Sequence, residues 1–240
     1  MTWTCTDAGS GPVSTSVSQV VSDEGSDQSA TNTSTDQAGN AATHARSGIS
    51  IARTPPSLEP GVSLDPVLLG GSVTATAIAT DALPGIASQS CEPVNTGSVG
   101  DHTLTCTAMD NAGITAEAAV TYRVSYTFIG FDAPVCIDQV NVAKAGQTIP
   151  LEWRLLDSQG NPVSTSSGIQ VTFQVESCEG GTPIDTIPAD SPGASGFEIL
   201  GKGRCRLNWK TPSSLANQCG ALHVDLGEDI TRTAYFRFSR

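Results

Sequence analysis

The chain has 240 residues, with 12 basic and 24 acidic side chains and a net charge of -12. This length allows one large domain or two to three small ones. A strongly acidic chain is repelled by polyanions, which argues against nucleic-acid binding and against anionic membranes. Ser, Thr, Ala, Val and Gly dominate the composition. Such a composition is typical of β proteins with many turns, so we expect very little helix.

Seven cysteines occur in a chain with few large apolar side chains. This combination indicates disulfide bonds and an oxidising compartment, so we expect an extracellular or cell-surface protein. No CxxC pair is present, and the three histidines (His44, His102 and His223) are scattered, so no zinc ligand set is visible. The N-terminal stretch MTWTCTDAGSGP has no signal-peptide pattern, and no apolar run predicts membrane insertion.

The first 125 residues contain an internal repeat with an offset of 74 positions. Thr6-Asp7-Ala8 aligns with Thr80-Asp81-Ala82, Gly11 with Gly85, Asp36 with Asp110, and Ala38-Gly39 with Ala112-Gly113. Short alternating segments such as VTATAIATD and HTLTCTAMD are separated by turn residues. These features predict an all-β fold of tandem Ig-like antiparallel β-sandwiches.

A proline-rich joint at Thr54-Pro55-Pro56 divides the two copies into residues 1–53 and 54–125. By the same alignment, a whole first copy begins about twenty positions before Met1. We therefore expect the first sandwich to be incomplete, with an unpaired sheet edge and marginal order. We also expect the chain to be the C-terminal part of a longer exported protein.

The segments CTDAGSGPVS and EGSDQSATNTSTDQAGNAATHARSGISIARTPPS resemble the tandem bacterial Ig-like repeats of the HYR-like kind. Such repeats occur in long surface and secreted proteins, and the resemblance implies a fold rather than a ligand. Cys91 and Cys106 lie in segments of the second copy that we expect to face each other and form a disulfide. The resemblance implies that Ser34 occupies the position of a missing partner for Cys5.

The repeat ends near Ser125, and a third domain is predicted for residues 126–240. Alternating apolar residues in this region predict another half-buried antiparallel sandwich. Trp153 and Trp209 are in phase with the inward-facing residues, so we expect both in the core. Tyr126, Tyr235 and Trp3 are candidates for exposure, but three scattered rings do not make a carbohydrate-binding platform.

Residues 126–240 resemble the PxKF-type domain, which ends many secreted bacterial proteins. The matching positions are Tyr126, Phe128, Gly130, Phe131, Lys144-Ala145-Gly146, Trp209-Lys210-Thr211, Cys219 and the final TAYFRF. Pro150 of the namesake motif is present, whereas Glu152 and Trp153 stand in place of its Lys and Phe. Four cysteines (Cys136, Cys178, Cys205 and Cys219) allow three pairings. The resemblance implies Cys178 with Cys219, which leaves Cys136 and Cys205 as a second pair.

The repeated aspartates have two interpretations. Loops at one end of an Ig-like sandwich bring Asp7 towards Asp36 and Asp81 towards Asp110. Paired carboxylates suit Ca²⁺, although this ion takes six to eight oxygens and two carboxylates are only part of a ligand set. Alternatively, each Asp accepts backbone N–H groups in its own turn, next to a glycine with positive φ at position 39 or 113. Apart from this calcium hypothesis, we expect no cofactor.

Catalytic patterns are absent from the sequence: no G-x-S-x-G elbow occurs and no histidine sits in a recognisable motif. We expect a non-enzymatic extracellular array that serves as a stalk, spacer or adhesive part of a larger surface or secreted protein. The alternative is a polysaccharide- or cell-wall-binding accessory region of a secreted hydrolase. Expected partners are neighbouring modules of the longer chain and a cell-surface glycan or protein ligand.

Overall fold

The computed structural model describes residues 1–164, 169–178, 183–188 and 196–240, and for 183–188 it describes the backbone only. Within these ranges the chain is built from β-strands, with one 3₁₀ turn at Ser213–Leu215, and the predicted all-β fold is confirmed. In chain order the strands are β1 Thr2–Thr4, β2 Ser16–Ser18, β3 Gly25–Thr35, β4 Ala41–Ile51, β5 Ser57–Val62, β6 Val67–Leu68, β7 Ala75–Thr80, β8 Ile86–Cys91, β9 Gly100–Asp110, β10 Thr115–Ser125, β11 Thr127–Asp132, β12 Asn141–Lys144, β13 Thr148–Leu156, β14 Gln170–Glu176, β15 Pro183–Pro188, β16 Phe197–Gly201, β17 Arg204–Lys210, β18 Cys219–Asp225 and β19 Thr231–Ser239. The described part of the chain contains no helix with the length and hydropathy of a membrane-spanning segment.

The chain divides into two compact units. The first unit comprises Met1–Gly61, Thr76–Cys91 and Thr105–Ala118, and the second comprises Val62–Ala75, Glu92–Leu104 and Ala119–Arg240. The domain boundaries predicted from the sequence stay predictions.

The 74-residue repeat is visible in the strands. Strand β4 starts after the turn that follows Asp36, and β10 starts 74 positions later, after the turn that follows Asp110. The backbone N–H of Gln37 donates to the carbonyl of Gly11 at 2.9 Å, and that of Asn111 donates to Gly85 at 3.0 Å. Pro12 forms a β-bridge with Asp36, and its equivalent in the second copy, Ile86, pairs with Asp110. Equivalent residues therefore make equivalent contacts in both copies.

The two copies differ in the number of paired strands. In the first copy, β1 pairs with β2, and β3 pairs with β4. In the second copy, β6, β10, β9 and β8 form a four-stranded sheet in that order, and β5 pairs with β7. The first copy therefore contains fewer paired strands than the second.

The C-terminal residues form two sheets around one apolar core. The strand orders are β11-β13-β17-β16 and β12-β19-β18-β14-β15. Trp209 on β17 contacts Phe173 on β14 and Phe236 on β19, with ring centroids 5.2 and 5.4 Å apart. Trp153 and Trp209 are 0% and 1% exposed, which confirms the inward orientation predicted from the alternation.

Candidate functional site

The repeated Asp-x-x-Gly segments form the same turn. Asp36 Oδ1 accepts the backbone N–H of Asn40 at 2.8 Å, and Asp110 Oδ1 accepts that of Ile114 at 2.8 Å. The glycine three residues after each Asp has φ of +91° or +86°, a region that residues other than glycine rarely adopt. Gly39 and Gly113 are therefore required by the turn.

A third copy of this turn lies in the C-terminal sandwich, where the sequence repeat does not reach. In the segment DSQGN, Asp157 Oδ1 accepts the backbone N–H of Asn161 at 2.8 Å, and the glycine between them, Gly160, has φ of +80°. The Asn161 amide holds the pKa of Asp157 below its ordinary value, as the Asn40 amide does for Asp36. The same chemistry in an unrelated module indicates that Asp and Gly serve the backbone of the turn.

The other two predicted aspartates also bind backbone groups of their own loops. Asp7 Oδ2 accepts the N–H groups of Gly9 and Gly11 at 3.0 and 2.8 Å, and Asp81 Oδ1 accepts that of Gly85 at 2.9 Å. Asp7 and Asp36 line one cavity of about 170 Å³. Among the described residues, no three His, Cys, Asp or Glu side chains form a group that could hold a metal ion. All four aspartates accept hydrogen bonds from their own turns, whereas Oδ2 of Asp110 is buried and has no hydrogen-bond partner among the described residues. Calcium binding stays a prediction.

The structure contains two disulfide bonds among the described residues. Cys91 is bonded to Cys106, with a sequence separation of 15, and Cys178 is bonded to Cys219, with a separation of 41. The proposed second C-terminal pair is corrected, because Cys136 and Cys205 are both free thiols. Cys205 lies on β17 opposite Trp153 and is 1% exposed, whereas Cys136 lies in the connection between β11 and β12.

Cys5 is a free, buried thiol, and it lines the 170 Å³ cavity together with Ser34. The Ser34 hydroxyl is 2.8 Å from Nε2 of His44. The structure therefore brings together the two positions that the HYR-like resemblance relates to each other, without a bond between them.

Inside the second unit, Arg123 fixes the end of β10 by hydrogen bonds to three residues from other parts of the chain. Its guanidinium donates to both carboxylate oxygens of Asp101 at 2.7 and 3.1 Å and to the carbonyl oxygen of Asp229 at 3.2 Å. The Arg123 backbone N–H donates to Asp65 Oδ1 at 2.8 Å. A bidentate arginine–carboxylate pair is geometrically specific, so these contacts fix the orientation of the strand as well as its position.

Glu228, which directly precedes Asp229 in the chain, is a buried carboxylate. Glu228 is 0% exposed, its Oε2 accepts the backbone N–H of Tyr126 at 2.7 Å, and it forms an ion pair with Arg232. The Arg232 guanidinium lies over the Phe128 ring at 4.8 Å from the centroid. Burial raises the pKa of Glu228 and lowers that of Arg232. We call the contacts of Arg123 and of Glu228 the joint clamp, because they hold the chain where β10 leads into β11.

Apolar contacts reinforce the joint clamp. Leu69 and Val99, which belong to the second repeat, pack against the core of the C-terminal sandwich. The backbone N–H of Ser158 donates to the carbonyl of Leu69 at 2.9 Å. Sequence reasoning missed the whole joint, since its hydrogen-bonded partners lie up to 106 positions apart and show no local periodicity.

A groove of about 610 Å³ lies on the C-terminal sandwich. It is lined by Val140, Val142, Glu176, Tyr235 and Arg237, together with the Cys178–Cys219 disulfide. Tyr235 is 48% exposed, and Val142 is 75% exposed. The groove therefore presents one exposed aromatic ring and a pair of opposite charges beside apolar residues. Of the three rings named as candidates for exposure, Tyr235 is exposed, Trp3 is half-buried and Tyr126 is buried, and the groove itself was not anticipated from the sequence.

Comparison with known protein families gives no match, and no curated protein matches either. Domains 4 and 5 of the S-layer protein SbsC have a similar solved structure, at 14% identity and a TM-score of 0.27, covering 87% of this chain and 89% of that one. A tetra-tandem repeat in the extending region of a large adhesion protein matches at 18% identity and a TM-score of 0.26, covering 92% and 58% of the two chains. A chimeric titin Z1Z2–Z1Z2 tandem matches at 13% identity and a TM-score of 0.22, covering 89% and 91%. Similarity at these scores identifies no family and carries no argument about function.

Proposed function

We propose that this chain is a non-enzymatic extracellular array of β-sandwich modules that serves as a stalk or spacer in a surface or secreted protein. The joint clamp is the observation that carries the proposal. A spacer has to keep successive modules in a fixed orientation, and the clamp provides this through a bidentate ion pair, a buried carboxylate and apolar contacts. The two disulfides support an oxidising location.

The clamp can be tested by NMR relaxation on the full chain. If the joint is stiff, amides in Val62–Ala75 report the same rotational correlation time as amides in β13 and β17 of the C-terminal sandwich. Arg123→Ala combined with Glu228→Ala should separate the two correlation times, whereas Arg240→Ala, at the exposed chain end, should leave them equal. Two different correlation times in the unaltered protein would contradict a stiff spacer.

Polysaccharide binding is the second candidate function, and the Tyr235 groove is the observation that favours it. An exposed ring beside Arg237 and Glu176 offers a stacking face with a donor and an acceptor for sugar hydroxyls. A glycan array and a cell-wall pulldown with the full chain separate the candidates. Saturable binding that is lost in Tyr235→Ala and kept in Ile199→Ala would favour the polysaccharide-binding module over the pure spacer. Ile199 is a matched control because it is 49% exposed and lies on β16, outside the groove.

A further inference from the structure

The Tyr235 groove contains an arginine that has no acidic neighbour in the sheet. Strand β19 turns Tyr235 and Arg237 to the same exposed face, two positions apart and so roughly 7 Å from each other along the strand. Arg237 lies opposite Val142 on β12 and opposite Cys219 on β18. Its side chain makes no hydrogen bond or ion pair with another residue that the structure describes. The groove therefore places an exposed cation next to an exposed ring.

Two arginines in the opposite sheet show the contrast. Arg204 and Arg206 both form ion pairs with Glu152, at 2.8 and 2.6 Å, so their charge is neutralised within the sandwich. The guanidinium of Arg237 has no such partner, and its planar donors match the two oxygens of a carboxylate. It is therefore available to an anionic group of a ligand in the groove.

Buried hydrogen bonds hold one wall of the groove in place. Asn141 is 8% exposed, and its Nδ2 donates to the carbonyl oxygens of Cys136 and Tyr235 at 2.9 and 3.0 Å. Its Oδ1 accepts the backbone N–H of Cys136 at 2.9 Å. These bonds tie the connection between β11 and β12 to β19, so Val140 and Val142 are held beside Tyr235. A groove with fixed walls loses little conformational entropy when a ligand binds.

We propose that the groove binds an acidic polysaccharide built from uronic-acid pyranoses, an inference that rests on the second candidate function and names its ligand class. The face of one pyranose stacks on the Tyr235 ring, and a sugar carboxylate accepts hydrogen bonds from the Arg237 guanidinium. In a uronic acid the carboxylate is attached to the sugar ring itself, which suits a cation roughly 7 Å along the strand from the aromatic residue. The volume of about 610 Å³ is that of a small-molecule site.

Glu176 sets the direction in which such a ligand lies. It is opposite Cys219, which in turn is opposite Arg237, so two strand spacings, or roughly 10 Å, separate the backbones of Glu176 and Arg237. The Glu176 carboxylate accepts hydrogen bonds from sugar hydroxyls and repels a sugar carboxylate, which confines the anionic group to the Arg237 end. Because the net charge of -12 repels anions at long range, binding of an acidic sugar depends on this local cation.

Calorimetric titration of the full chain with an oligogalacturonate and with its methyl ester tests the proposal. The acid should bind saturably, and the ester, which keeps the sugars but loses the charge, should bind about tenfold more weakly. Arg237→Gln should weaken binding of the acid about tenfold and leave that of the ester nearly unchanged, which also shows that the variant is folded. The matched control is Arg154→Gln, which removes an exposed arginine on β13, outside the groove, and should bind both saccharides as the unaltered protein does.

Three results would overturn the proposal. Equal affinities for the acid and the ester would show that charge is not recognised, while polysaccharide binding itself would stand. An equal loss of acid binding in Arg154→Gln and Arg237→Gln would assign the effect to net charge rather than to the groove. If neither saccharide binds, the uronic-acid ligand is wrong, and the glycan array decides separately whether the second candidate function fails with it.

Discussion

Removal of the Cys178–Cys219 disulfide should destabilise the C-terminal sandwich by about 4 kcal/mol. The bond closes a loop with a sequence separation of 41. The entropy lost by an unfolded chain closed over roughly 40 residues corresponds to about 4 kcal/mol at 25 °C, and closure over roughly 15 residues corresponds to about 3 kcal/mol. The Cys91–Cys106 bond, with a separation of 15, is the internal comparison. Replacing both cysteines of the Cys178–Cys219 bond by Ala should therefore cost about 1 kcal/mol more free energy of unfolding than the same replacement at the Cys91–Cys106 bond.

Urea unfolding followed by tryptophan fluorescence measures the C-terminal loss directly. Trp153 and Trp209 are buried in the C-terminal core, so their emission should shift when this sandwich unfolds. The matched control is Cys136→Ala, which removes a free, half-buried thiol and should change the free energy of unfolding by less than about 0.5 kcal/mol. A double variant that loses less than about 1 kcal/mol, or a control that loses as much as the double variant, would refute the reasoning.

Three further predictions concern the first repeat and the C-terminal core. Hydrogen bonds from the Thr54 hydroxyl and from nearby backbone lower the pKa of Glu24 from 4.5 to about 2, so the stabilisation from its charged form is present above pH 4.5 and lost as the pH falls towards 2. A carboxyl NMR titration checks this, and a Glu24 midpoint near 4.5 would show that the bonds to Thr54 do not persist in solution. Ser34→Cys should bond to Cys5 and reduce the three free thiols to two in an Ellman titration, and a count of four would contradict the shared cavity. Trp209→Ala should cost roughly 3 to 5 kcal/mol in urea unfolding, and a loss below about 1 kcal/mol would mean that its contacts with Phe173 and Phe236 contribute little.

The predictable features of this chain are those set by neighbours in sequence. Alternation along β13 and β17 was enough to place Trp153 and Trp209 in the core, because a strand turns successive side chains to opposite faces. The Asp36 and Asp110 turns were predictable for a similar reason, since the carboxylate, its N–H partners and the glycine lie within five residues.

The joint clamp could not be predicted in this way. Glu228 and Tyr126 are 102 positions apart, and the hydrogen bond between them forms only when the folded chain brings the two segments together. Nothing in the local sequence separates Glu228 from an ordinary solvent-exposed acid. The free thiol of Cys205 is a related case, because counting cysteines left its pairing open and only the strand register shows it facing Trp153 in the core.

The same Asp-x-x-Gly turn occurs three times in the chain, and the copies differ in how deeply the aspartate is buried. The turn after Asp36, Asp110 and Asp157 has the same hydrogen bonds and the same positive-φ glycine each time. Yet Asp110 is 1% exposed, whereas Asp36 is half-buried. The geometry of the turn depends on five consecutive residues, whereas its burial depends on the strands that pack around it.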